Sequence, residues 1–287
     1  MKFGVIFKRN SESSLRAVEE LYDFLKNKDV ELFFDWKTEL KFDNINLIDE
    51  NKMPDIVDFI IVLGGDGTLL HTASLIKDQN VAIIGINQGK LGFLTETMTS
   101  EMDKLLNSVL KGEYEIEERC RLTIHVHTKT NRVIEREILN DISINSGIVA
   151  RIIDLELSMN GKRITSYRAD GLIVSTPTGS TAYALSAGGP IIYPTLPITL
   201  ITPICPHTLT MRPLVLSSRE NIKIYVKGEN RDIYLTIDGQ ESVQITSEVE
   251  FIQVKSSDNP VKLVKPLNRG YFDVLRDKLK WSGSSIQ

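Results

Sequence analysis

Apolar and polar positions in the first hundred residues follow two alternating periods. Residues 3–7 form a short apolar run, FGVIF. Over 12–28, Leu15, Val18, Leu21, Phe24 and Leu25 recur at three- and four-residue spacing. That spacing predicts a helix, with Ser11 and Glu12 as capping residues near its start. Residues 30–34 predict a second strand, and the Asn- and Asp-rich stretch 43–54 predicts a loop. DFIIVL, at 58–63, is continuously apolar, as a parallel strand is when helices cover both faces of its sheet. A helix over 68–78 and another buried strand over 81–86 (VAIIGI) follow. Strand, helix, strand in this order implies right-handed crossovers and a parallel, Rossmann-like sheet.

A further helix is predicted over 101–111, with Met102, Leu105, Leu106 and Val109 on one face. From residue 114 the period changes to two. LTIHVH at 122–127, LELSM at 155–159, IKIYV at 222–226, IYLTI at 233–237 and VEFIQV at 249–254 alternate strand-fashion. Turn signals separate them, among them Asn160-Gly161 and the 227–230 stretch KGEN. This pattern predicts a mostly antiparallel β domain. Residues 270–281 read as helical again and are expected to return to the first domain. The expected division is an α/β domain over 1–100, a β-rich domain over 101–266 and a tail over 267–287 packing on the first domain.

Composition narrows the function classes. Of 287 residues, 41% are hydrophobic and 25% charged, enough for a large core without a disulfide or metal staple. The net charge of −4 argues against a nucleic-acid or anionic-membrane binder, which carries a basic face. An anionic ligand must then be held locally, by backbone amides and a few placed cations. Cys120 and Cys205 stand far apart with no CxxC, so no zinc knuckle or disulfide framework is indicated, and both are expected to be buried. No stretch approaches the ~20 apolar residues of a membrane span and no cationic leader precedes the first strand, so a cytoplasmic protein is expected.

Three segments carry candidate chemistry. Gly64-Gly65-Asp66-Gly67-Thr68 lies between a predicted buried strand and a helix. Such a loop lets a ligand approach the backbone, and the following helix dipole favours phosphate. The plainer alternative is a tight turn in which Asp66 or Thr68 caps the helix. No Lys-Ser or Lys-Thr pair follows, so this is not a Walker A loop, and Leu70 breaks GxGxxG. The second segment is TPTGSTAYALSAGGP at 176–190, following the apolar run 171–175. Its hydroxyls and Tyr183 suit sugars, phosphates or an amide equally as well as a capped helix packed on a sheet. The third is Asn140-Asp141, poor strand residues inside a strand pattern. An amide there can read a base edge and a carboxylate can accept from a ribose diol, although a plain Asx turn explains the pair too. His125 and His127 share a strand face, but no third ligand for a metal stands near them in sequence.

Taken together, the GGDG loop, the Asn140-Asp141 pair and the TPTGSTAY…SAGGP segment, in this order, resemble the NAD kinase family. Asp238-Gly239-Gln240 and the 204–214 stretch extend the likeness, which runs from residue 58 to 240. GGDG alone is shared with lipid kinases and phosphofructokinases; TPTGSTAY singles out NAD kinases. The family's usual Asn-Glu pair is Asn140-Asp141 here. The resemblance implies phosphoryl transfer from ATP or polyphosphate to the 2′-hydroxyl of the adenosine ribose of NAD, giving NADP. It implies Asp66 as the catalytic carboxylate, and Gly64, Gly65, Gly67 and Thr68 as the loop receiving the donor phosphates. For NAD it implies Asp66, Gly67, Asn140, Asp141, Asp170, Thr181, Ala182, Tyr183, Ala184, Leu185 and Ser186. His71, Phe93, Arg151, Arg168 and Gln240 occupy supporting positions. It further implies a magnesium or other divalent cation, and a homodimer or homotetramer whose neighbouring subunit completes each dinucleotide site. Neither nucleic acid nor membrane is an expected partner. Two rival readings are a lipid kinase of the diacylglycerol kinase type and a dinucleotide-binding protein without turnover.

Overall fold

The apolar run at 58–63 forms the strand Phe59–Leu63, all five residues buried. It lies inside a sheet whose order is Ile45–Ile48, Glu31–Asp35, Lys2–Phe7, Phe59–Leu63, Ala82–Asn87, Val261–Val264, Ile116–Arg119. Thr97–Met98 also pairs with Ala82–Asn87. From the edge at Ile45–Ile48 as far as Val261–Val264 the pairing is parallel throughout. The computed structural model describes all residues except 10, 90, 148–151, 229–231, 267–268 and 281–287.

The helix Glu12–Leu25 starts where its cap was expected: the Ser11 hydroxyl accepts the Ser14 N–H at 3.4 Å. Its stripe Val18, Leu21 and Leu25 joins Phe3, Ile61 and Ile84 of the sheet in one core. The helix Met102–Leu110 adds Leu105, Leu106 and Val109 to that core. Fully burying such side chains is worth ~1.5–3 kcal/mol each, which fixes helices whose own propensity would not hold them.

The second unit holds two antiparallel six-stranded sheets. One runs Leu214–Ser217, Ile198–Ile204, Gly171–Ser175, Asp141–Ser146, Ile233–Ile237, Glu241–Ile245. The other runs Lys162–Ala169, Ile153–Met159, Ile222–Lys227, Val249–Ser256, Leu122–Thr128, Val133–Ile138. Their inward positions, such as Ile142, Leu172 and Leu235 from one and Ile124, Leu155 and Ile252 from the other, share one core. Asn160 and Gly161 both have positive φ, 51° and 78°, as a two-residue hairpin turn of primed type requires.

Three expectations change. The polar 43–54 stretch is no plain loop: it supplies the edge strand Ile45–Ile48 and the 3₁₀ turn Glu50–Asp55. Three of the strand's four residues, Ile45, Leu47 and Ile48, are apolar, but the strand is short and none of them is fully buried. The Asn and Asp residues around it give the stretch its polar character. The units divide as Met1–Glu118 with Val261–Gln287, and Arg119–Pro260, so 101–118 and 261–266 leave the β-rich domain. The reason is the strand Val261–Val264, whose period resembles its antiparallel predecessors but which pairs parallel with Ala82–Asn87. The helix Tyr271–Leu279, with Val274 and Leu275 buried, belongs to the first unit. Finally, Cys205 is exposed, at φ 43°, whereas Cys120 is half-buried and burial pushes its thiol up.

Candidate active site

In the first unit the glycine loop ends Phe59–Leu63 and enters the helix Asp66–Leu75 with Gly65 at its cap position. The glycines have different reasons. A Cβ at Gly64 would meet the Thr68 hydroxyl at 2.5 Å, so the turn itself demands glycine. At Gly65 and Gly67 a Cβ would meet nothing within 4 Å, and neither φ is positive. The fold does not need glycine at these two positions; they keep open space above the helix N-terminus, where N–H groups and the dipole favour an anion. That space is a cleft of about 510 Å³ lined by Lys8, Arg9, Glu50, Gly65, Gly67, Thr68 and His71. Arg9 pairs with the buried Asp35 and with Glu50 at 3.4 Å, and His71 Nε2 lies 3.6 Å from Glu50.

Asp66 turns away from the role of a simple cap. Its Oδ2 accepts the Phe93 N–H at 2.9 Å. Its Oδ1 accepts the N–H groups of Leu94 and Thr95 at 3.1 and 3.0 Å, and the Thr95 hydroxyl at 3.1 Å. The sequence-predicted residues Asp66, Gly67 and Phe93 therefore meet in one place, Phe93 through its backbone. His71 shares the cleft of the glycine loop.

The second unit carries its own cluster. The backbone of 139–141 is gripped from two sides. Asp238 accepts the N–H groups of Leu139, Asn140 and Asp141 at 2.9, 2.8 and 3.0 Å. Opposite, Thr176 donates its hydroxyl to the Leu139 carbonyl at 2.6 Å and its N–H to the Asn140 carbonyl at 2.9 Å. Gly179 packs so closely that a Cβ would lie 2.2 Å from the Asn140 carbonyl oxygen. The 176–186 corner is thus built around Asn140, and it presents half-buried Thr181 and Ala182 and exposed Tyr183 and Ser186 beside it. Ser180 is structural, buried with its hydroxyl on the Pro177 carbonyl. Ala184 is buried with Ile173 and Leu200, so its side chain is core; Leu185 is half-buried. Gln240 is exposed in the turn that Asp238 opens.

Electrostatics distinguish the two acids here. Burial first, then the neighbouring Asp238 charge, push the Asp141 carboxyl up to about 7, against a smaller opposing bond from the Tyr183 N–H. Asp238 is also pushed up by burial, opposed by its three N–H donors and by Arg121. Arg121 is itself fully buried, 2.8 Å from Glu137 and 2.6 Å from the Asn259 carbonyl. Sequence reasoning quoted Asp238 only as part of a motif and missed Arg121; the Asp-Gly pair, with Asp238 at φ 47°, was the available signal.

Arg168 and Asp170 do not join this cluster. They precede the strand Gly171–Ser175, while Thr176 follows it, and six steps of ~3.3 Å put about 20 Å between Asp170 and Thr176. Arg168 is exposed, 3.4 Å from Asp154, and its carbonyl accepts the His207 N–H. Arg151 lies outside the described residues. His125 bonds Glu135 at 2.7 Å, and His127 bonds Gln253 at 3.1 Å while stacking on Phe251.

An α/β unit whose glycine loop carries a backbone-held carboxylate, joined to an antiparallel β unit, places the chain among the GGDG kinases. Residues 3–114 match the ATP-NAD kinase N-terminal domain and residues 139–266 the ATP-NAD kinase C-terminal domain. An NAD kinase of Geotalea daltonii is 48% identical over 229 residues, 80% of each chain. One of Citrifermentans bemidjiense is 39% identical over 284 residues, 98% of each. The crystal structure of yeast NADH kinase complexed with NADH superposes with a TM-score of 0.90 at 27% identity, covering 99% of this chain and 89% of that one. An NAD kinase from Archaeoglobus fulgidus in complex with ATP gives 0.76 at 27% identity, covering 96% and 99%. The chain belongs to the NAD kinase family, and the lipid kinase alternative falls with these matches.

Proposed function

We propose that the chain transfers the terminal phosphoryl group of ATP to the 2′-hydroxyl of the adenosine ribose of NAD, giving NADP, with Asp66 as the carboxylate that meets that hydroxyl. The observation that carries this reading is the placement of Asp66. It lies between Gly65 and Gly67, which line the open anion-favouring cleft, and its carboxylate is fixed by four donors from residues 93–95. As the 2′-oxygen bonds to phosphorus, the bridging P–O bond breaks, its electron pair leaves with the diphosphate, and the hydroxyl proton passes to Asp66. Such a transition state is loose, so positioning and charge neutralisation dominate.

The donor phosphates are proposed to lie over Gly65, Gly67 and Thr68, with the helix N-terminus and Lys8 supplying the positive charge that a net-acidic chain must concentrate locally, and Arg9, paired with Asp35 and Glu50, beside them. The dinucleotide is proposed to use Asn140, Asp141 and the 181–186 corner. A magnesium ion fits the same cleft. Glu50 and the Thr68 hydroxyl would be its protein oxygen donors there, since magnesium asks for only one or two protein carboxylates beside phosphate oxygens and water. When bound it neutralises developing phosphate charge. The separation of Arg168 and Asp170 from Tyr183 within one chain supports a homodimer or homotetramer in which a second copy brings its Asp170 end to this site. A cytoplasmic setting belongs to the same proposal. No helix among the described residues is long and apolar enough to cross a membrane.

The test is a coupled assay for NADP formed from NAD, ATP and magnesium, with light scattering on the same preparation. Turnover and a mass of at least a dimer are expected. A preparation that binds NAD but forms no NADP supports the silent-binder rival. A fully active monomer refutes the shared site.

A further inference from the structure

The loop that holds Asp66 does more than satisfy a carboxylate. Residues 92–95 close on themselves through the Gly92 N–H and the Thr95 carbonyl at 3.1 Å, which aims three successive N–H groups at one side chain. Gly92 is dictated by this closeness and not by backbone strain. A Cβ there would lie 2.0 Å from Asp66 Oδ1 and 2.6 Å from the Thr95 hydroxyl. Thr95 itself is completely buried, as is nearly all of Asn87 at the end of the strand Ala82–Asn87. Buried polar side chains of this kind are costly unless bonded, so the partners they choose are informative.

The partners form a directed chain. The Asn87 amide oxygen accepts the Gly89 N–H at 2.8 Å, which sets the orientation of the amide. Its NH₂ therefore faces Thr95 and donates to the Thr95 hydroxyl oxygen at 2.8 Å. With that oxygen accepting from Asn87, the one hydroxyl proton of Thr95 points to Asp66 Oδ1, 3.1 Å away. Oδ1 already receives the N–H groups of Leu94 and Thr95, so the hydroxyl is its third donor. Among the described residues Oδ2 receives one, from Phe93. A carboxylate offers about four acceptor sites, two on each oxygen. Oδ1 is saturated and the remaining capacity is on Oδ2.

We infer that Thr95, aimed by Asn87, is a positioning residue that locks the rotamer of Asp66 and reserves Oδ2 for the acceptor hydroxyl. The inference rests on the reading of Asp66 as the catalytic carboxylate. A misplaced reacting group is expensive even when every group is still present, which is why a fixed carboxylate and not merely a nearby one is useful here.

The experiment measures kcat and KM for NAD, with ATP and magnesium, in Thr95→Val, Thr95→Ser, Asp66→Asn and the Asp66→Asn/Thr95→Val double variant. Losing a hydrogen bond to a charged group predicts a kcat about 10- to 100-fold lower in Thr95→Val. KM for NAD stays within about twofold, because the hydroxyl touches Asp66 and not the substrate. Thr95→Ser keeps the hydroxyl and recovers kcat to within about threefold of wild type. On the Asp66→Asn background Thr95→Val costs less than about threefold more, since the group it positions is already disabled. Thr95→Val at wild-type kcat, or a full multiplicative loss in the double variant, overturns the inference. If Asp66→Asn alone turns over at the wild-type rate, the catalytic reading fails and takes this inference with it. Circular dichroism checks folding, and Thr95→Ala carries the same expectations if the valine variant does not fold.

Discussion

The two units each hold a carboxylate cluster, and they solve the same problem differently. Asp66 is half-buried and takes four hydrogen bonds, three of them from consecutive backbone N–H groups of a loop that glycine lets approach. Asp141 is buried near a second acid, Asp238, which takes the N–H groups of its own strand. Burial first and then the neighbouring charge push the Asp141 carboxyl up to about 7, against the Tyr183 N–H that opposes them. The comparison teaches that burial and donor supply together, and not the presence of an acid, decide what a carboxylate can do. Asp66 is half-buried and held by donors at the start of a helix, whereas burial pushes the Asp141 carboxyl up to about 7.

The largest expected effect breaks the first cluster. Asp66→Asn should lower turnover about 10²–10⁴-fold with NAD affinity little changed by calorimetry. The amide also places an NH₂ against one of the backbone donors, so a loss of about 1–3 kcal/mol should appear in urea unfolding of the same protein. Turnover within a few-fold of wild type would reduce Asp66 to a structural role. Next comes Gly92→Ala, whose methyl group must displace the carboxylate: about 10²-fold lower kcat is expected, set against Gly270→Ala, where φ is −110° and an added methyl group meets only Asp273 at an ordinary 3.6 Å. Equal kcat in the two variants would show that the 92–95 loop does not position Asp66.

The second cluster is tested by binding. Asn140→Ala and Tyr183→Ala should each weaken NAD about tenfold. Wild-type affinity in both would move the dinucleotide elsewhere. The smallest effect concerns Asp141 and pH. At pH values below the ordinary 3.8, folded and unfolded chains both hold its proton. Between there and about 7 only the folded chain keeps it, so this group's contribution to stability falls as pH rises. Asp141→Asn should therefore lose part of that decline, and urea midpoints for variant and wild type should diverge most above pH 7 in the variant's favour. Parallel midpoints from pH 4 to 8 would show that Asp141 ionises without cost.

Much of this was open to inspection in the residues themselves. Helical spacing found Glu12–Leu25 and Met102–Leu110, and the continuous apolar run found Phe59–Leu63. The three motifs pointed to Asp66, Asn140 and Tyr183. The residues that hold them were less visible. Thr95 and Asn87 read as ordinary polar positions, because their role exists only when the 92–95 turn folds onto a helix that begins 26 residues earlier.

What the sequence by itself determined is whatever depends on neighbours along the chain: the periods of the elements, the Asn160-Gly161 turn, the Ser11 cap and the glycine loop between strand and helix. Tertiary structure alone decided the rest. A parallel strand cannot announce its partner, so Val261–Val264 revealed only in space that it completes the first sheet. Likewise Asp170 and Thr181 are near in sequence, yet an extended strand separates them within the chain. The charge state of Asp141 follows from burial and from Asp238, 97 residues away. Local sterics and hydrophobic spacing are written in order along the chain; pairing, burial and electrostatics act through space, between groups that order does not join.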